Sequence, residues 1–442
     1  MKRNSSGVTG ATSSDDEYLF TDEAKQTRGP KVDRSHDERT AWSRTPWDGH
    51  VAAKLREQSW HTYYHMPLHV FDKLHDLLFV ESDGEKVLAH RKARNSTPMG
   101  PIQTQVKLAA TLRELFGEKR KSMCDVFKIA PTSARACFMD VIRRINSCPE
   151  LEGNIYSTDQ TEAALIARAN EFARRSAFPS VWRHCVGAID GLFIKTRQPR
   201  EKEVSNVRAF YSGHKKGYGL NMQAVCNAQC RFIGFACNTP GSTNDYVAFR
   251  HSFLYGHWPK LPEPYFYVGD CAYPLSPQCV TPHIGSAVSA EADAFNFFHS
   301  QLRITIERSF GIFVNVFGIF HSPLLFSIAT CCDVVEACVR LHNYRIDNGC
   351  QHVARVVTAA ATFREAYDRS NDIFDVLDDD RYATLRPHAT DAAYAAYVQH
   401  QQQQAGLRAT DAARGAEKRC VLGVALALLG AARPAANVRA LL

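Results

Sequence analysis

For a chain of 442 residues with 14 cysteines, the sequence has no Cys-x-x-Cys pair and no cysteine–histidine cluster at zinc spacing. That excludes the common structural zinc sites and a small disulfide scaffold, and the scattered cysteines read as reduced thiols of an intracellular protein. Apolar runs of membrane-spanning length are also missing, since such a span needs about 20 residues. The longest near the end, Cys420 to Ala432, is too short to span a bilayer and reads as a terminal core or partner helix, with a tail anchor as the lesser alternative, so no membrane partner is expected. Residues 1–50 are polar and charged, without the apolar segment of a secretory signal. No internal repeat is visible. Charge of one sign is scarce as well: 53 basic against 46 acidic residues give a net charge of +7 and a pI near 8.7. This balance permits a nucleic-acid partner without demanding one.

What the sequence does contain is a globular composition, with 45% hydrophobic and 22% charged residues, long enough for more than one domain. Residues 1–50 show little periodicity and read as a disordered tail. From His65 the apolar spacing turns helical (Met66, Leu68, Val70, Phe71, Leu74, Leu77, Leu78), followed by a loop from Ser82 to Met99. Helices are then predicted over Thr104–Phe116 and Lys121–Ile129, and a further one is capped by Thr132 or Ser133. Two short helices, a tight turn and a third helix outline a helix-turn-helix, in which Arg135, Arg143 and Arg144 could meet phosphates; an ordinary three-helix packing module with solvated arginines fits the same pattern. Residues 51–160 are therefore assigned to a helical, helix-turn-helix-like domain.

After a helical stretch at residues 159–178 the period changes. Strand-like runs occupy His184–Ile189 with Leu192–Lys195, then Leu220–Cys226, Arg231–Cys237, Tyr265–Val268 and Gln278–Thr281. Asn227–Cys230 reads as a hairpin connection, Pro240–Asn244 as a turn into a helix near Asp245, and Ala292 to about Phe317 as a long helix. Hairpin strands first and alternating elements later predict an α/β fold with a mixed sheet flanked by helices over residues 161–350. Residues 351–442, with an Asp378–Asp380 cluster and a Gln401–Gln404 run, read as peripheral helices and a low-complexity tail.

Three acids stand in apolar surroundings within this region: Asp190, at the end of a strand-like run and before Gly191; Asp270, after Phe266–Gly269; and Glu307, in a helical pattern. Carboxylates are costly near a core unless paired or bound to a metal. If the strands carrying the two aspartates are neighbours, and the long helix crosses their edge, the three could converge on Mg²⁺ or Mn²⁺, which favour oxygen ligands. Two such ions clamp the attacking and leaving oxygens of a phosphoryl displacement. Each acid has a plainer reading too: Asp190 and Asp270 as turn residues, Glu307 as a partner of Arg303 or Arg308 on a solvated face, and Asp245 as a helix cap. His214 and His299 read as surface or core histidines. Lys195, Arg197, Lys215 and Lys216 could contact phosphate or simply be solvated.

The segments Val186–Gly191, Pro240–Asp245, Val268–Leu275 and Ile304–Gly311, with Tyr211–Gln223 and Leu341–Tyr344, resemble in order and spacing the motif series of PIF/Harbinger-type DDE transposases and their domesticated nuclease relatives, over about residues 60–350. The resemblance implies an RNase H-like core with Asp190, Asp270 and Glu307 as a catalytic, metal-binding triad, Asp245 as an accessory position, and a DNA-binding role for the helices around 104–145. It further implies a nuclear, Mg²⁺-dependent enzyme that cuts double-stranded DNA and transfers strands at transposon ends with two ions. Such an enzyme works as a homo-oligomer alongside a Myb-like DNA-binding protein. Two positions depart from the pattern. Asn244 stands where the family usually has histidine, and the run after Glu307 is apolar, Gly311–Phe320, where basic residues are usual. A domesticated DNA-binding or scaffold protein that keeps the fold without catalysis is the alternative, and a nuclease for another nucleic acid is a third reading.

Overall fold

The computed structural model describes residues 44–79, 101–152, 161–252, 254–255, 261–285, 289–350, 409–431 and 433. Of the tail expected over residues 1–50, residues 1–43 lie outside them, as do the Ser82–Met99 loop and the acidic and glutamine-rich segments. The end of that expectation is corrected, since Trp47–Arg56 is a helix that buries Trp47 and His50 in the core.

Six helices open the described chain: α1 (Trp47–Arg56), α2 (Trp60–Tyr64), α3 (Leu68–Phe79), α4 (Thr104–Leu115), α5 (Arg120–Phe127) and α6 (Pro131–Ser147). The start of α6 differs from expectation. Pro131 is its first residue, where a fixed φ suits the helix and a missing N–H costs nothing, so neither Thr132 nor Ser133 caps it. Lys128, with a φ of 51°, makes the sharp turn between α5 and α6. α4 is the axis of this group and is buried from Val106 to Leu115, charged residues included. Their charges are matched locally. Arg113 binds Glu118, Arg120 binds Glu114, and Lys107 Nζ lies 3.6 Å from Asp140.

A one-turn helix α7 (Pro149–Glu152) and α8 (Glu162–Ala173) lead into the sheet. Its strands are β1 (Cys185–Lys195), the two-residue β2 (Tyr211–Ser212), β3 (Gly217–Cys226) and β4 (Phe232–Pro240); after helix α9 (Asp245–His251) come β5 (Phe266–Val268) and β6 (Cys279–Val280). Across the sheet the order is β4, β3, β1, β5, β6, with β2 paired to the start of β3. β3 runs antiparallel to both β1 and β4, whereas β5 and β6 run parallel to β1. An antiparallel meander continued by parallel crossover strands, with helices packed on it, is the RNase H-like arrangement. The turn Asn227–Arg231 closes the β3–β4 hairpin: Asn227 Oδ1 accepts from the N–H groups of Gln229 and Arg231 at 3.0 Å each, and Cys230 takes a φ of 64°.

Among the described residues three long helices follow: α10 (Ala290–Val316), capped by Ser289, α11 (Ile328–Asp347), capped by Ser327, and α12 (Ala409–Leu428). α10 packs on β1 and β3, and α11 lies on β4 and also against α6. The apolar run after Glu307 is thereby explained. Phe310 packs tilted and Phe313 edge-on against Phe232 of β4, and Phe313 and Phe317 are fully buried. One hydrophobic cluster extends without interruption from Trp47 through the sheet to Leu426. The N-terminal helices and the sheet thus share a core. Tyr344 of α11 donates to the carbonyl of Val70 at 2.8 Å, and Arg345 donates to that of His65.

α12 covers the β6 side of the sheet. Lys418 Nζ donates to the carbonyls of Pro264 and Pro277 at 3.0 and 2.8 Å, and Arg419 reaches the Pro282 carbonyl at 3.0 Å. Gly415 sits so close to Ser276 that a Cβ would fall 2.7 Å from the Ser276 backbone. The terminal apolar segment is therefore a helix of the protein's own core, and no described helix is long and apolar enough to cross a membrane. All 14 cysteines are free thiols.

Candidate active site

β1 is a single strand running through Asp190, not two runs with the aspartate at an end. The residue pairs with Ala224 of β3, near the middle of the sheet. Position decides its chemistry: an aspartate inside a central strand loses most of its water. Burial, reinforced by the charges of Asp270 and Asp245, pushes its carboxyl up to about 6, although the Gly191 N–H and Arg303 favour the ionised form.

Asp270 follows the neighbouring parallel strand. Ala188 pairs with Val268, so Asp190 and Asp270 each lie two residues beyond the same rung. Its Oδ1 accepts from the Ala272 N–H at 2.9 Å, the turn geometry expected of it. Burial, then the charge of Asp245, raises its carboxyl above the usual range. The turn reading is thus met, in a residue that also lies level with Asp190 beside the neighbouring strand.

Glu307 is delivered by α10. Its side chain is 46% exposed, and its Oε1 lies 2.6 Å from Arg303 Nη2, one helical turn earlier. The other terminal nitrogen, Arg303 Nη1, lies 3.2 Å from Asp190 Oδ2. One guanidinium therefore stands between the strand acid and the helix acid. Among the described residues no three carboxylate, histidine or cysteine groups are close enough together to hold a metal ion. On this face Arg303 contacts both Asp190 and Glu307.

Asp245 is not the helix cap. Asn244 is, its Oδ1 accepting from the Val247 N–H at 2.9 Å, which is also what the residue at this departure from the family pattern does here. Asp245 instead turns to β3, where its Oδ1 accepts from Asn221 Nδ2 and Gln223 Nε2 at 3.0 Å each. Gln223 Nε2 also donates to Asn221 Oδ1 at 2.8 Å, and Tyr273 Oη donates to Gln223 Oε1 at 2.5 Å. Burial and the surrounding aspartates hold the Tyr273 phenol far above its ordinary range, so it remains a protonated donor. A Cβ on Gly191 would strike the Asp245 carboxylate. Successive residues of a strand face opposite sides of the sheet. Asp245 therefore approaches on the Gly191 side, whereas Arg303 and Glu307 lie on the Asp190 side.

Asn221, Gln223 and Tyr273 escaped the sequence reading. A signal existed: two amides two residues apart, on one face of an otherwise apolar strand, are both buried.

The basic candidates separate into several groups. Lys195 is exposed at the end of β1, and Lys215 and Lys216 are exposed in the turn between β2 and β3, together with His214. Arg197 is engaged with Glu203. On α6, Arg135 and Arg143 are exposed, Arg143 near Asp333 of α11. Arg144 is committed inward: it donates to the Leu78 carbonyl at 3.0 Å, lies 3.5 Å from Asp140 and covers the Phe79 ring. His299 is a core residue whose Nε2 meets the Val280 carbonyl at 3.0 Å.

Residues 189–343, which hold all four acids, match the family described as DDE superfamily endonuclease. Over 290 residues the chain is 24% identical to HARBI1 of Mus musculus, provisionally named a nuclease, a match covering 65% of this chain and 78% of that protein. It is 29% identical over 146 residues to an ALP1-like protein of Arabidopsis thaliana, covering 30% of this chain and about a third (34%) of that one. No solved structure matches. Residues 189–343 are thus similar to the DDE superfamily endonucleases, and the longer match shows the chain to be similar to HARBI1.

Proposed function

We propose that this chain is a Mg²⁺- or Mn²⁺-dependent endonuclease and transposase that hydrolyses phosphodiester bonds and transfers strands at transposon ends in duplex DNA. The observation that carries the reading is the level placement of Asp190 and Asp270 on adjacent parallel strands, both desolvated, with Glu307 tied to Asp190 through Arg303.

The donor set fits a hard divalent cation. It offers only carboxylate oxygens, and burial, more than the neighbouring carboxylates, raises the carboxyls of Asp190 and Asp270, a penalty on their charged forms that a bound cation would relieve. Asp190, Asp270 and Glu307 would hold the ions. When bound, a pair of divalent ions supplies Lewis acidity to the scissile phosphate and a lowered pKa to the attacking water or 3′-hydroxyl. The protein's part is positioning. β1 and β5 fix the two aspartates, α10 delivers the glutamate, and the Tyr273–Gln223–Asn221 network anchors Asp245 behind them. Lys195, Lys215 and Lys216, with Arg135 and Arg143 (the latter near Asp333), are exposed and would meet phosphates, so binding should weaken steeply with salt. Arg144 is left out of this set because its guanidinium is used inside the fold. Work in the nucleus, as a homo-oligomer and beside a Myb-like DNA-binding protein, belongs to the same proposal.

The test is Mg²⁺-dependent nicking of duplex DNA carrying the cognate terminal repeat. Asp190→Ala, Asp270→Ala and Glu307→Ala should each lose more than about a hundredfold in rate, since even an outer partner of a metal ligand is worth up to that. Metal-dependent cleavage that persists in all three variants overturns the assignment. The Arg303 tie favours one second reading, a domesticated DNA-binding or scaffold protein in which the acids serve an internal ion-pair network. Its signature is duplex binding without Mg²⁺ affinity.

A further inference from the structure

We infer that Arg303 is a built-in counter-cation of the acid cluster, which a divalent ion must displace from Asp190 before the site is loaded. The inference rests on the metal-dependent reading above and adds a residue that this reading does not use. Arg303 spans two elements: Nη1 lies 3.2 Å from Asp190 Oδ2 on β1, and Nη2 lies 2.6 Å from Glu307 Oε1 on its own helix. Its side chain is 25% exposed and that of Asp190 17%, so the β1 contact is partly shielded from water.

The two contacts are not equivalent. The link to Glu307 joins residues four apart on one helix, at an exposed acid, and its cost of closure is small. The link to Asp190 joins a strand to a helix across 113 positions of sequence. It satisfies a carboxylate oxygen that the Gly191 N–H, bonded to the other oxygen, does not reach. A cation held by Asp190 would compete with this guanidinium for the carboxylate oxygen that Arg303 now contacts. Two cations at one pair of carboxylates repel each other, so metal entry and the Arg303–Asp190 bond exclude one another, and the affinity for metal is reduced by whatever that bond is worth. Without metal the same bond keeps the strand and the helix in register. Arg303 is a positioning residue in this scheme, and it sets how much free metal the protein requires.

The experiment compares the full chain with Arg303→Gln and Arg303→Lys by Mn²⁺ titration, read calorimetrically and by electron paramagnetic resonance of the free ion. Melting is followed with and without Mn²⁺. Gln suits a helix interior but carries no charge; Lys keeps the charge. Arg303→Gln should melt lower than the parent without metal, bind Mn²⁺ roughly three- to tenfold more tightly, the scale of one part-shielded ion pair, and gain more from metal on melting. Arg303→Lys should fall near the parent. Unchanged or weaker Mn²⁺ binding by a folded Arg303→Gln overturns the counter-cation role while leaving the metal site intact. If Arg303→Gln fails to fold, the lysine variant decides: parent-like affinity supports the role, and weaker affinity overturns it. Absence of any Mn²⁺ binding that is sensitive to Asp190→Ala overturns the metal-dependent reading and this inference with it.

Discussion

The Asp245 carboxylate lies directly against Gly191: a Cβ there would come within 2.8 Å of the Asp245 carboxyl carbon and equally close to Gln223 Nε2. The glycine next to Asp190 is thus a clearance, cut so that a second acid can approach the strand from its other face. Gly191→Ala should push Asp245 off Asn221 and Gln223 and destabilise the fold by about 1–3 kcal/mol, as overpacking does. A denaturant titration checks this. An unchanged midpoint means that Asp245 is not held as described.

The Tyr273–Gln223 bond makes a separate prediction. Both residues are buried, and the phenol is the donor to Gln223 Oε1. Tyr273→Phe leaves that oxygen without its partner, at a cost of about 1–3 kcal/mol. Cleavage should drop further than stability explains, because Asp245 loses its anchor. If Tyr273→Phe is as stable as the parent, a water must replace the hydroxyl.

Much of this region was legible beforehand. The order of strands and helices from Cys185 to Val316, the Asn227 hairpin and the helix beginning at Asp245 follow from period changes and turn residues. The adjacency of the two aspartate strands was stated as a condition, and the pairing of β1 with β5 meets it. What the sequence concealed depends on side-chain direction. Whether Arg303 serves Glu307 on a solvated face or reaches across to Asp190 is decided by how α10 is rotated on β1, and periodicity does not fix that angle. Asp245 lost the capping role expected of it to Asn244 for a similar reason. Either can cap a helix, and the amides of β3, distant in sequence, claim Asp245. The arginines of α6 looked alike, yet Arg144 is drawn inward by the Leu78 carbonyl at the end of α3.

The buried histidines predict a pH response. His299 and His342 are held down to about 4, chiefly by burial, below the ordinary value of 6.5. The unfolded chain therefore takes up protons first. Their contribution to stability is complete above pH 6.5 and is lost as pH falls from 6.5 toward 4. The urea midpoint should accordingly drop between pH 7 and pH 5. His299→Gln, whose amide can still donate to the Val280 carbonyl without titrating, should flatten that decline. An equally steep decline in the variant assigns the effect elsewhere.

The C-terminal helix offers a structural test. A side chain at Gly415 would meet the Ser276 backbone, so Gly415→Val should lift α12 from the sheet. Hydrogen exchange at Cys279 and Val280, which form the outermost strand, should then accelerate. Protection equal to that of the parent would show that α12 does not guard this edge.

The continuous core from Trp47 to Leu426 carries a mechanical consequence. A reader domain on a flexible tether can search along DNA while its enzyme waits; helices α1–α6 have no such freedom, because Tyr344 and Arg345 pin them to α11. Under the proposed function, a duplex docked on α6 would press on the same core that carries the acids, so gripping the substrate and aiming the acids would be coupled.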